Sequence, residues 1–369
     1  MGFRCGIVGL PNVGKSTIFN ALTAAGIESA NYPFCTIEPN VGMVPVPDVR
    51  LDKLSEMVKT RNEVHAQMEF VDIAGLVSGA SKGEGLGNQF LGHIRQVDAI
   101  AHVIRCFENE NIVHVDGSID PLRDREVINT ELILADLDTV AKRLKKTTSM
   151  AKSGDKEAKV QLIILEKIQE ALDDGKPARS VKFTPDMEDA VGRFMREICL
   201  LSYKPVLYVA NVAEEDIVKG NAFVDALQQV VTDEENAPVV VISGAIEEEL
   251  ANMDPEEHME FLNDMGMDES GLNRLIKAGY GLLGLMNYFT VGVKDTKAWT
   301  LKVGSKAPQA AGVIHSDFER GFIRAEVISY QDYVDCGGEA AAKEQGLWRL
   351  EGKDYVVQDG DCINFRFNV

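Results

Sequence analysis

The sequence predicts an α/β fold: a mainly parallel sheet with helices on both faces, interrupted by a helical insertion and followed by a smaller α+β unit. Three observations predict it. Gly9-Leu10-Pro11-Asn12-Val13-Gly14-Lys15-Ser16 fits G-x-x-x-x-G-K-[ST] and lies between an apolar run, Phe3 to Val8, and the helix-spaced Ile18, Ala21 and Leu22. Further apolar runs at 66–72, 99–103, 205–211 and 238–243 alternate with helical patterns, as buried parallel strands do. From about Asp120 to Leu201 that alternation gives way to long helical periodicity, and short strand-like runs return beyond Gly281.

The octapeptide is a phosphate-binding loop in the context that such a loop requires, after a strand and opening a helix. Successive backbone N–H groups point inward at a polyphosphate, and the helix from about Lys15 adds the positive end of its dipole. Gly9 and Gly14 admit the anion closely, Lys15 reaches the β- and γ-phosphates, and the Ser16 hydroxyl ligates Mg²⁺. The nucleotide contacts expected here are Asn12, Val13, Gly14, Lys15, Ser16 and Thr17.

After the first helix, Ala30-Asn31-Tyr32-Pro33-Phe34-Cys35-Thr36-Ile37-Glu38-Pro39 reads as a Pro-punctuated loop ahead of a strand at 41–46. Thr36 is its polar anchor, a candidate for Mg²⁺ and the γ-phosphate, although a lone loop Thr is also an ordinary solvated turn residue. Cys35 beside it is a redox candidate, with an inert thiol as the plainer reading. Asp72-Ile73-Ala74-Gly75 closes the next strand as D-x-x-G. Asp72 there holds Mg²⁺ through water, and Gly75 donates its N–H to the γ-phosphate.

The run 99–103 leads to a polar loop, 106–117, with one histidine, His114, that can titrate near neutral pH. The helical stretch that follows reads as an antiparallel hairpin turning near Ser153-Gly154-Asp155, with a basic face at Lys142, Arg143, Lys145, Lys146 and Lys152. That face suits RNA or, equally, water. Strands return at 205–211 and 238–243, each ending in polar residues: Asn211-Val212-Ala213-Glu214 and Ser243-Gly244-Ala245. Ligands of such sheets bind at the carboxyl ends of strands, where all these motifs fall. The expected organisation is a nucleotide-binding domain split into 1–120 and 202–280, a helical arm at 121–201, and a C-terminal unit at 281–369.

Composition narrows the class. A formal net charge of −20 argues against a DNA-coating protein, so contact with nucleic acid has to be local. Six scattered Cys with no C-x-x-C pair suggest reduced thiols in the cytoplasm, with neither a disulfide framework nor a zinc site. No apolar run is long enough to span a bilayer, and Met1-Gly2-Phe3-Arg4 leads into the first strand without a signal peptide.

The phosphate loop with P-N-V-G-K-S, the loop Thr, D-x-x-G, N-x-x-E and S-G-A, in that order, resembles the translation-factor class of P-loop GTPases. Within that class the whole chain is similar to the YchF/Obg-like ATPase family, most closely at residues 31–40, at Asp72-Ile73-Ala74-Gly75-Leu76-Val77, at Asn211-Val212-Ala213-Glu214 and in the C-terminal part. The resemblance implies a P-loop NTPase with a coiled-coil arm and a C-terminal TGS domain of β-grasp type. It also implies ATP hydrolysis, association with the ribosome through its large subunit, and a link to oxidative stress. The arm and the TGS unit, with Lys294, Lys297, Lys302 and Lys306, are the expected contacts with ribosomal RNA. The GTPase class usually has Gln after D-x-x-G, where this chain has Leu76; His114 matches the loop histidine associated with that substitution in the family. Water is then oriented by His114 or by a monovalent cation such as K⁺, held partly by Asn12.

The base reader is altered as well. In N-K-x-D the Asp pairs with guanine N1–H and its exocyclic amine, and the Lys stem covers the base; here Val212 and Glu214 stand in those places. The longer Glu214 crowds guanine and misses the paired geometry, whereas adenine offers an N6 amine to Asn211 or to a backbone carbonyl. Loss of the pairing removes the penalty against adenine, which predicts ATP over GTP by about 1–3 kcal/mol, against the alternative of a relaxed site that takes both purines.

Overall fold

The computed structural model of the chain describes residues 3–27, 40–74, 86–115 and 117–368. In chain order the strands are β1 (Arg4–Val8), β2 (Val41–Pro45), β3 (Asn62–Val64), β4 (Gln67–Asp72), β5 (Ala99–Arg105), β6 (Val206–Asn211), β7 (Val239–Ile242), β8 (Leu285–Thr290), β9 (Asp295–Lys302), β10 (Phe322–Ile328), β11 (Arg349–Glu351) and β12 (Cys362–Phe367). Two compact units form, one from Phe3–Gly42 and Glu69–Leu275, the other from Met43–Met68 and Ile276–Val369.

The first unit is built on the strands β4, β1, β5, β6 and β7, side by side in that order in one sheet. β1 pairs in parallel with β4 and β5, β5 with β6, and β6 with β7, the mainly parallel sheet that the sequence predicts. Every residue of β5 and β6 is buried, which is why these segments show no alternation of polar and apolar residues. The helix α1 (Lys15–Ile27) follows β1, and its Ile18, Ala21 and Leu22 are buried. The strand order places the carboxyl ends of β1, β4, β5, β6 and β7 along one edge, where the phosphate loop, Asp72, the 106–115 loop, Asn211 and Ser243 follow.

The insertion begins at the helix Pro121–Lys152, capped by Asp120, which accepts from the backbone N–H groups of Leu122 and Arg123. It turns at Ser153-Gly154-Asp155, where Gly154 has φ +98, and returns as the helix Lys156–Asp173, capped by Asp155. Val140, Ile164, Leu165, Ile168, Leu172 and Phe194 form its apolar core. Of its basic residues, Arg143 pairs with Glu197 and stacks over Phe194, while Lys142, Lys145, Lys146 and Lys152 are exposed.

The second unit has a mixed sheet of order β11-β10-β12-β8-β9-β3. β8 with β9 and β10 with β12 are antiparallel, whereas β12 with β8 and β3 with β9 are parallel. Its core gathers Tyr288, Leu301, Ala307, Ala311, Val327 and Phe365. The helical pattern expected near Ala307 to Phe318 is two helices, Ala307–Ile314 and Ser316–Arg320. They part at His315, whose extended backbone (φ −161°) breaks the helix and whose Nδ1 accepts from the Asp317 N–H to cap the next one. No helix among the described residues is long and apolar enough to cross a membrane.

Candidate functional site

The edge formed by the strand ends holds a cleft of ≈ 960 Å³ in the first unit. One end is the phosphate loop. Gly14 has φ +92, and a Cβ added there would come within 2.1 Å of Asn211 Nδ2, so only glycine fits both the backbone and the neighbour. Asn12 takes the left-handed conformation, φ 63, and its Nδ2 donates to the carbonyl of Val113 at 3.0 Å. The Gly14 carbonyl accepts from the Ile18 N–H, starting the helix whose N-terminal N–H groups face the cleft. Lys15 is held by a hydrogen-bonded ion pair with Asp72 at the end of β4.

Asn211 joins the two ends of the cleft. Its Nδ2 donates to the Val13 carbonyl at 2.8 Å, and its Oδ1 accepts from the Gly244 N–H at 2.9 Å. Its backbone carbonyl accepts from the Cys106 N–H at 2.7 Å. One side chain therefore ties the phosphate loop to the Ser243-Gly244-Ala245 segment, with the 106–115 loop fastened to the same residue. Val212 is buried, with its N–H donating to the Ile242 carbonyl, while Glu214 opens a short 3₁₀ turn, Glu214–Asp216. Both line the far end of the cleft with Ser243, Gly244 and Ala245. Ser243 is 1% exposed, and its hydroxyl has no hydrogen-bond partner among the described residues. A buried hydroxyl left unpaired at a cleft wall is suited to a ligand's polar atom.

The structure thus gathers Asn12, Gly14, Lys15, Ser16, Thr17, Asn211, Val212, Glu214, Ser243, Gly244 and Ala245 around one cleft, with Val13 buried behind it and Asp72 reaching it through Lys15. Thr36, Gly75, Leu76 and Cys35 lie outside the described residues. His114 does not line the cleft. It is buried, and its Nε2 is 2.8 Å from Asp124 Oδ2 on the first arm helix, one residue from the Val113 carbonyl that holds Asn12. Sequence reasoning missed Phe107, Glu108, Asn109 and Ile112, which wall the cleft from the loop after β5, and Glu215 and Glu248 at the far end. The available signal was their place after strand ends, since their residue types carry no motif.

For a divalent metal, the chain offers oxygen donors: the exposed Ser16 hydroxyl beside the phosphate loop and the Asp72 carboxylate bonded to Lys15. A hard donor set of this kind fits Mg²⁺.

Comparison with known proteins gives a consistent picture. A family model described as "50S ribosome-binding GTPase" matches residues 4–167, and the C-terminal model YchF-GTPase_C, described as a protein of unknown function, matches residues 285–368. The chain is 58% identical over 369 residues to the "Ribosome-binding ATPase YchF" of Haemophilus influenzae and 56% identical over 371 residues to that of Bacillus subtilis, with 100% of each chain covered in both cases. The solved structure of the Schizosaccharomyces pombe YchF GTPase superposes with a TM-score of 0.89 at 38% identity, over 99% of this chain and 98% of that one.

Proposed function

The chain belongs to the YchF family, and from that premise we propose that it is a Mg²⁺-dependent ATPase that prefers ATP to GTP and acts as a nucleotide-dependent switch on the ribosome. The observation that carries the nucleotide reading is that Lys15 lines one cleft together with the Asn211, Glu214 and Ser243 segments. Related proteins are described as ATPase and as GTPase, so the preference rests on the chemistry of the base end. Asn211 has its amide engaged on two backbone partners, which leaves the Ser243 hydroxyl and backbone groups to meet the base edge. Glu214 and Val212 supply neither the Asp nor the Lys that pairs with and covers guanine.

Lys15 places its charge on the β- and γ-phosphates, and the loop N–H groups orient them. Ser16, Asp72 and Thr36 would hold Mg²⁺, which would supply positive charge against the phosphates. Gly75 donates to the γ-phosphate. His114 positions the attacking water after leaving Asp124; alternatively Asn12 would hold part of a K⁺ ion, which would supply charge for orienting that water. Normal turnover by His114→Ala, with and without K⁺, would exclude both routes. Oxidation of Cys35 blocks closure of the Thr36 loop, so Cys35→Ser should lose peroxide sensitivity.

The cytoplasmic ribosome is the partner, reached by the exposed arm lysines and by Lys294, Lys297, Lys302 and Lys306 of the C-terminal unit. Phosphate contacts of this kind make binding weaken with salt, by about one unit of slope for each Lys removed. The deciding experiment is competition of ATP and GTP for the purified chain, with phosphate release measured against Lys15→Ala. Tighter GTP binding, or release no greater than the control, defeats the proposal.

A further inference from the structure

Among the described residues Arg105 is the largest fully buried side chain, 1% exposed, and it is the last residue of β5. Its Nε donates to the Phe107 carbonyl at 3.1 Å, its Nη1 to the Ile112 carbonyl at 3.0 Å and its Nη2 to the Asn109 carbonyl at 3.2 Å. The guanidinium carbon also lies 4.7 Å from the centre of the Phe107 ring. Phe107, Asn109 and Ile112 all line the cleft. Burial of a guanidinium is costly, and its planar fork is suited to fixing several acceptors at once. Here all three acceptors belong to one loop and to three of its wall residues. Just beyond them the Val113 carbonyl accepts from Asn12, so the loop that Arg105 shapes is also bonded to the phosphate loop.

We propose that Arg105 is a positioning residue for nucleotide: it preforms the Phe107–Ile112 wall of the cleft without itself lining the cleft. The inference rests on the nucleotide reading of that cleft. Without the fork, three loop carbonyls lose a charged donor and the wall samples many conformations, so binding has to order it each time. A lysine in the same place keeps the charge but cannot reach three carbonyls in a plane.

The test measures ATP hydrolysis and fluorescent-ATP binding for the wild type, Arg105→Met, Arg105→Lys and Lys15→Ala. For Arg105→Met, KM and Kd are expected to rise about 10- to 100-fold, with kcat per folded molecule within about threefold of wild type. Arg105→Lys should fall between the two. A purely structural role would instead lower the folded fraction, reducing apparent kcat with KM unchanged, and that result overturns the proposal. So does wild-type affinity in Arg105→Met. If Lys15→Ala binds ATP as the wild type does, the nucleotide reading itself fails, which is a separate outcome. Should neither Arg105 variant fold, amide hydrogen exchange of the wild type decides. Slow exchange at 107–112 without nucleotide supports a preformed wall, and exchange at the unfolded rate until ATP is added refutes it.

Discussion

The two ends of the cleft are made in different ways. The phosphate end is local: Gly14, Asn12 and the first turn of α1 follow one another in sequence, and backbone conformation dictates residue type. The base end is assembled from the ends of β5, β6 and β7, and it depends on side chains meeting across long intervals, such as Asn211 on Val13 and on Gly244. The comparison teaches that damage should differ in kind. Changes at the phosphate end should affect every nucleoside triphosphate alike, whereas changes at the base end should alter the ratio between purines.

The sharpest test of that division, and the largest expected effect, is Lys15→Ala. It removes the cation that we propose binds the phosphates and leaves Asp72 without this partner, so hydrolysis of ATP and of GTP should both fall by about 10²-fold or more, with the thermal midpoint little changed. A selective loss for one nucleotide would break the comparison. Asn211→Ala removes the residue common to both ends. It orphans the Val13 carbonyl and the Gly244 N–H, at a cost of about 1–3 kcal/mol for each buried group, and should be visible both in the denaturation midpoint and in weaker binding of either nucleotide.

At the base end, Val212→Lys combined with Glu214→Asp should move the ATP-to-GTP affinity ratio towards GTP by about 1–3 kcal/mol while leaving the Lys15 dependence intact. An unchanged ratio in a competition assay would remove Glu214 and Val212 from the specificity argument. The smallest effect belongs to Ser243→Ala. Loss of an unpaired buried hydroxyl should leave the nucleotide-free protein as stable as before or slightly more so, yet cost about 1 kcal/mol in affinity for the preferred nucleotide. Equal affinity in titration calorimetry would show that the hydroxyl meets no ligand atom.

Much of this was legible in the chain itself. The apolar runs that became β1, β4, β5, β6 and β7, the glycines of the phosphate loop and the hairpin turn at Gly154 all follow from local rules, because burial on both faces, positive φ and helix capping each restrict the residues nearby. The polar residues at strand ends marked where a site would form. Tertiary structure alone decided the rest. Residues 43–68 join the C-terminal unit because β3 pairs with β9, a register between Asn62 and Asp295 that no pattern in either segment announces. His114 is buried against Asp124 and does not line the cleft, and Arg105, which falls between the apolar run 99–103 and the polar loop from 106, holds three carbonyls of that loop. The physical reason is the same in each case. Backbone conformation and burial are fixed by near neighbours and leave a periodic trace in the sequence, whereas a hydrogen bond between distant segments depends on where the fold brings its donor and acceptor, and leaves none.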